Sequence, residues 1–225
     1  MKGAAADSTE LQQIYRRRFE KSQSDRAAVW RVLTSRFFSQ FVKPSDAVLD
    51  LGSGYAEFIN HIAAARKFAM DLNPDSAAAV ASDVTFLQQD CSQRWALEDG
   101  SLDAVFTSNF FEHLPDKDSL GRTLGEAARC LRTGGRLIAM GPNIARVGGA
   151  YWHFWDHHIA LTEQSLSEVL RLHAFEVERA YPAFLPYTIG DVSPRLFWLL
   201  PLYLRLPIAW RFFGGQFLVV ARKRN

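Results

Sequence analysis

The chain has 225 residues, 48% of them apolar, with 26 basic residues against 24 acidic ones and a formal net charge of +2. That apolar fraction supplies the core of one α/β domain. So even a balance argues against a nucleic-acid binder driven by counterion release, and the basic runs at 15–18 and 221–224 read as a solvated helix face and a chain terminus. Two cysteines, Cys91 and Cys130, give no disulfide framework, and the first seven residues lack a signal-peptide core, so a reducing cytoplasm is the expected location.

Taken in chain order, residues 11–41 carry apolar positions at helical spacing and predict one or two amphipathic helices, closed by Pro44-Ser45-Asp46. The run Val48-Leu49-Asp50-Leu51 then predicts a buried strand that turns at Gly52-Ser53-Gly54. Glycines at 52 and 54 let the backbone turn tightly and let a ligand approach, as at the first strand-to-helix turn of nucleotide-binding sheets. A dinucleotide fingerprint would need glycine at 57, where Glu57 stands. Carboxylates there would repel a pyrophosphate, whereas a phosphate-free cationic cofactor with a sulfonium and an ammonium suits Asp50. The Lys-Ser/Thr signature of a P-loop is absent.

A second strand near 67–71 closes on Asp71, 21 positions after Asp50, which is the spacing of an acidic residue that holds ribose hydroxyls. A third near 84–89 ends at Asp90-Cys91, where Asp90 is placed to accept a hydrogen bond from an adenine amino group. Further strands are expected near 102–109, 136–141, 176–181 and 216–222, with helices near 116–131 and 162–173, the βαβ alternation of a parallel sheet. No internal repeat or linker marks a second domain. The expected organisation is a single domain: a helical cap at 1–45, a core sheet at 46–183 and 215–225, and an apolar insertion at 184–214.

Residues 47–143 resemble the class I S-adenosylmethionine-dependent methyltransferases, of the broad kind that modifies small molecules and glycans. The resemblance rests on Asp50-Leu51-Gly52-Ser53-Gly54, Asp71, Asp90, Ser108-Asn109-Phe110-Phe111-Glu112-His113-Leu114 and Leu131-Arg132-Thr133-Gly134-Gly135-Arg136-Leu137. It implies a Rossmann-like fold: a mostly parallel seven-stranded sheet with an antiparallel last strand, helices on both faces and an amino-terminal helical cap. It implies S-adenosyl-L-methionine as cofactor, S-adenosyl-L-homocysteine as product, and cofactor contacts from Asp50, Gly52, Ser53, Gly54, Asp71, Leu72, Asp90, Cys91 and Asn109. Ala56 departs from the family's usual third glycine, which predicts a loop slightly farther from the methionine moiety.

The acceptor is expected outside the carboxyl ends of the strands. Two segments reach that edge. One is the run at 109–114 with His113, which the resemblance makes structural more often than basic. The other is the run at 148–158, which combines a glycine hinge with Tyr151, Trp152, His153, Phe154, Trp155, Asp156, His157 and His158. Methyl transfer is an in-line displacement that needs positioning in a partly dry site. A hydroxyl acceptor must also lose a proton, for which His157 and His158 beside Asp156 are the candidate bases and His153 the third. His113, Tyr151, Trp152 and Asp156 are the expected acceptor contacts. The alternative is that Asp156 or Thr162 caps the next helix while the aromatics pack as core. No metal is expected, because the three loop histidines show no acidic partner set. O-methylation of a small molecule or a sugar or glycan intermediate is the leading reading. C- or N-methylation of a small or lipid-linked acceptor, a non-catalytic cofactor-binding protein, and a dehydrogenase disfavoured by Glu57 are the rivals.

Within the insertion, the apolar run at 196–204 is far shorter than a membrane span and is flanked by Arg195 and Arg205. It is expected to cover the acceptor pocket, to make a dimer contact, or to rest on a bilayer with its arginines at the headgroups. A monomer or homodimer fits equally.

Overall fold

The structure is a computed structural model that describes residues 23–187 and 198–225. Helix α1 (Gln23–Arg36) and a single 3-10 turn (Phe38–Gln40) lead to β1 (Ala47–Leu51), then α2 (Glu57–His61), β2 (Arg66–Asp71), β3 (Val84–Gln88) and β4 (Leu102–Ser108). Helix α3 (Lys117–Cys130), β5 (Leu131–Pro142), the single turn α4 (Ile144–Val147), α5 (Glu163–Leu172) and β6 (Phe175–Tyr181) follow. The short helices α6 (Leu200–Leu204) and α7 (Pro207–Phe213) precede β7 (Gln216–Lys223). The first part of the expected cap helix and the run at 15–18 lie outside the described residues, as does the start of the apolar run at 196–204.

The seven strands form one sheet in the order β3-β2-β1-β4-β5-β7-β6. Strands β1 to β5 pair in parallel, and β7 runs antiparallel to both β5 and β6. All five residues of β1 are buried, as expected of a central parallel strand covered on both faces. Alternation along it divides the core. Leu49 and Leu51 join Leu120, Leu124 and Ala127 of α3 and Leu166 and Leu170 of α5. Val48 packs on the opposite face with Val29 and Leu33 of α1, Phe58 of α2, Phe106 of β4 and Trp210 of α7. Each of the two amphipathic helices α3 and α5 starts at a side-chain cap: Asp116 accepts from the Ser119 N–H at 2.7 Å, and Thr162 accepts from the Ser165 N–H at 3.1 Å. Thr162, rather than Asp156, is therefore the cap of α5.

Strand β5 begins at Leu131, well before the expected position 136, because residues 132–135 loop out of the ladder between the Leu102 and Ala104 pairings. Gly134 takes φ 78, and a Cβ on Gly135 would lie 2.9 Å from the Arg132 carbonyl oxygen, so glycines make this bulge. The strand order reverses between β1 and β4, and the parallel register brings Leu51, Asp71 and Ser108 to a common carboxyl edge. That switch point is where open α/β sheets place their ligands.

Candidate cofactor and acceptor site

The turn after β1 takes three left-handed residues: Gly52 at φ 68, Gly54 at φ 50 and Ala56 at φ 58. The N–H groups of Gly52 and Ser53 donate to the Met70 carbonyl at 2.9 and 3.1 Å, and the Gly54 N–H donates to Asp71 Oδ2 at 2.8 Å. The turn is thus stitched onto the end of β2, so its shape and the position of Asp71 are set together. The third position needs the same backbone as the glycines before it, and Ala56, fully buried, occupies it as the amino-terminal residue before α2. Phe110, from the far side of the switch point, lies directly over Gly52: a Cβ there would sit 2.2 Å from its ring.

Three carboxyl groups crowd this turn. Asp50 is buried and accepts from the Ile59 N–H at 3.3 Å; burial pushes its pKa well above the carboxylate range, and the charges of Glu57 and Asp71 push it further. Burial likewise raises Glu57, although Arg26 pairs with it at 2.9 Å and opposes the shift. Asp71 is raised by burial against the pull of its hydrogen bonds from the Asn73 and Gly54 N–H groups. A cationic ligand relieves this mutual repulsion, so the donor set fits the sulfonium and ammonium of S-adenosylmethionine. Arg26 also stands 5.5 Å over the Tyr55 ring, which ties α1 to the same turn.

The remaining expected cofactor contacts divide. Ser53 is buried, and its hydroxyl finds no protein hydrogen-bond partner among the described residues. The same holds for Thr107, near the end of β4, which the sequence reading passed over. Leu72 is 41% exposed at the mouth of β2, an apolar surface beside Asp71. Asp90 accepts from the Ser92 N–H at 2.8 Å in an exposed turn. The Cys91 thiol lies 3.3 Å from Thr123 Oγ1 in the core under α3, and burial pushes it up to about 12. Asn109 takes φ 50 and donates from Nδ2 to Ser108 Oγ at 3.0 Å and Gln216 Oε1 at 3.3 Å.

On the acceptor side the structure joins the two expected segments. The N–H groups of His158 and Ile159 donate to the Glu112 carbonyl at 2.8 and 3.2 Å, pinning the loop at 148–161 to the turn after β4. Asp156 turns to His113: its backbone oxygen lies 2.9 Å and its Oδ2 3.2 Å from His113 Nδ1. The Asp156 carboxylate therefore orients His113, which lies 43 positions earlier in sequence. Burial alone would lower the His113 pKa, but the Asp156 hydrogen bond and the charge of Glu112 more than offset it, and the net shift is upward. Glu112 is buried, which pushes its pKa up to about 7 against the opposing charge of His113.

His157 is buried, with its ring 4.9 Å from His113, 4.6 Å from Tyr151 and stacked on Phe154 at 5.0 Å. His153 and His158 are exposed. Tyr151 is fully buried with its hydroxyl donating to the Ile159 carbonyl, so it shapes the loop from within. Trp152 and Trp155 point outward, 56% and 84% exposed. Glu112, His113 and His157 offer one ligand atom each, all within 4.8 Å of one another. The acidic partner that the loop histidines lacked in sequence thus arrives from the turn after β4, where Glu112-His113 was the available signal. The cluster adjoins the cofactor turn through Phe110, which lies over Gly52 and whose carbonyl accepts from the His113 N–H at 3.0 Å.

A doubly wound sheet of this order with an antiparallel β7, a left-handed glycine turn after β1 and a carboxylate closing β2 defines the class I, Rossmann-like methyltransferase architecture. Residues 49–139 match the model of the family described as a methyltransferase domain. Its fold is similar to that of an Archaeoglobus fulgidus S-adenosylmethionine-dependent methyltransferase, with 19% identity, TM-score 0.67, and coverage of 94% of this chain and 99% of the other. A structure of the complex between the Haloferax volcanii Trm112 methyltransferase activator and a methyltransferase matches at 18% identity and TM-score 0.68, covering 99% of this chain and 100% of the other. The [4+2]-cyclase SpnF matches at 18% identity and TM-score 0.62, covering 86% of this chain and 80% of the other. Among the described residues no helix is long and apolar enough to cross a membrane.

Proposed function

We propose that the protein transfers the methyl group of S-adenosylmethionine to a hydroxyl oxygen of a small molecule or of a sugar or glycan intermediate, with His113, held by Asp156, receiving the hydroxyl proton. The observation that carries this reading is the Asp156 carboxylate on His113 Nδ1, in the turn whose Phe110 lies over Gly52. When bound, the cofactor supplies an electrophilic methyl on a sulfonium that departs as a neutral thioether. Asp50, Ser53 and the turn at 52–54 hold the methionine end, Asp71 the ribose, and Leu72 with the backbone at 90–91 the adenine. Asp156 fixes the proton on Nδ1 of His113 and so presents Nε2 as the accepting nitrogen. His113 keeps 18% of its side chain exposed to meet an acceptor, whereas His157 is a buried residue. Trp152 and Trp155 give that acceptor apolar faces at the entrance.

The test is methyl transfer from labelled cofactor to panels of hydroxyl and amine acceptors, with wild type, His113→Ala and His157→Ala, in the presence and absence of EDTA. Turnover on a hydroxyl acceptor that survives EDTA and falls roughly 100-fold or more in His113→Ala at unchanged cofactor affinity supports the reading. Undiminished turnover in that variant, or transfer confined to amines, overturns it.

A further inference from the structure

We propose that α6 and α7 form a surface that seats the protein on an anionic lipid bilayer. Helix pairs on a soluble domain normally bury their apolar side chains. Here Trp198, Leu202, Leu206, Ile208, Phe212 and Phe213 are between 42% and 76% exposed, all within a span of sixteen residues. The platform beneath them is fixed. Leu204 and Trp210 are buried, the Trp210 indole N–H donates to the Tyr203 carbonyl at 2.8 Å, and its ring meets Phe184 at 5.0 Å, Tyr181 at 5.4 Å and Phe37 at 5.8 Å. The outward side chains are thus a second apolar face on helices already anchored by the first. A contiguous face of this kind marks an interaction site.

Charge selects the occupant. From residue 192 to 215 the sequence has no Asp or Glu, against three arginines. Two of them, Arg205 and Arg211, are exposed among the apolar side chains of α6 and α7. Aromatic and aliphatic side chains interleaved with arginine suit a bilayer interface, where the rings enter the acyl boundary and the guanidinium groups stay with acidic headgroups. A second copy of the chain is a poorer occupant, because a two-fold contact would bring the like-charged Arg205 and Arg211 of both copies together, and α6 and α7 carry no acid of their own. The platform also communicates with the reaction edge. Gln216 donates from Nε2 to the Pro186 carbonyl at 2.8 Å, on the segment that leads into the insertion, and accepts at Oε1 from Asn109 at 3.3 Å. The inference stands apart from the acceptor chemistry and needs no base assignment.

Flotation of the full chain with phosphatidylcholine vesicles and with vesicles containing phosphatidylglycerol tests it. Binding is expected to the phosphatidylglycerol vesicles at low salt, weakening as salt rises. Phe212→Ser with Phe213→Ser should abolish it, and Arg205→Gln with Arg211→Gln should weaken it roughly 30-fold. Unchanged melting temperatures show that both variants fold, since the altered side chains are exposed. Absence of binding at low salt, or equal binding by the variants, overturns the proposal. So does a dimer, seen by sedimentation velocity, that the phenylalanine variant converts to monomer while vesicles stay unbound.

Discussion

Asp156 lies 43 positions after His113 in sequence, yet its backbone oxygen and its carboxylate both converge on the same ring nitrogen, at 2.9 and 3.2 Å. Two acceptors on Nδ1 fix the tautomer, and the anionic one raises the imidazole pKa. Asp156→Asn keeps the backbone contact but loses the charge. On the proposed role of His113, the rising limb of the kcat against pH profile should therefore move to lower pH by up to about one unit, with kcat reduced roughly tenfold or more. Measured profiles that superimpose would remove His113 from the reaction.

Glu112 gives a stability prediction with a definite sign. Its folded pKa of about 7 lies above the ordinary 4.5, because burial penalises the anion, so the folded state binds the proton more tightly than the unfolded chain does. The contribution is fully present below pH 4.5 and is lost as pH rises through 7. Glu112→Gln cannot ionise. Its melting temperature should fall less than that of wild type between pH 5 and 8, and should exceed it by roughly a few degrees at the upper end. A parallel pair of curves in differential scanning calorimetry would show that burial of this carboxyl costs nothing.

The acidic crowding at the turn predicts how cofactor affinity follows pH. Asp50, Glu57 and Asp71 are all raised by burial, so each is easier to protonate than an exposed carboxyl, and protonation removes the charge that attracts a cation. S-adenosylmethionine carries a sulfonium that S-adenosylhomocysteine lacks. As pH rises above the ordinary carboxylate range, the first should gain affinity several-fold more than the second, with protons released on binding. Isothermal titration in buffers of different ionisation enthalpy measures both quantities. Equal pH dependence for the two ligands would show that these carboxyls do not face the sulfur.

The sheet was readable because its signals are local: the apolar run into Gly52 and Gly54, Asp71 closing β2, and the glycines at 134 and 135 each act within a few residues. The acceptor side was read less well for the opposite reason. Sequence places Asp156 beside His157 and His158, and the backbone bonds from His158 and Ile159 to Glu112 hold the loop where Asp156 also meets His113. No spacing rule connects positions 113 and 156. Glu112 was overlooked as the acidic partner of the loop histidines because it comes from a different connection. The position of Cys91 after Asp90 said nothing of its side chain, which turns inward to Thr123.

Gly52 and Ala56 share a left-handed backbone, and magnitudes decide which of them tolerates a methyl group. At Ala56 the backbone strain of an L-residue, about 1 kcal/mol, is nearly cancelled by the burial of one methyl group, about 0.8 kcal/mol. Ala56→Gly should therefore leave the melting temperature almost unchanged. At Gly52 the same backbone cost is joined by a collision, since a Cβ would lie 2.2 Å from the Phe110 ring. Displacing a packed ring adds roughly 1–3 kcal/mol, so Gly52→Ala should lower the melting temperature by roughly 4–16 °C and weaken cofactor binding. Introducing Phe110→Ala into wild type and into Gly52→Ala completes a double-mutant cycle. The glycine substitution should cost much less in the Phe110→Ala background, leaving only the backbone share. An equal cost in both backgrounds would mean that the ring does not exclude a side chain at 52, and that the turn demands glycine for its dihedrals alone.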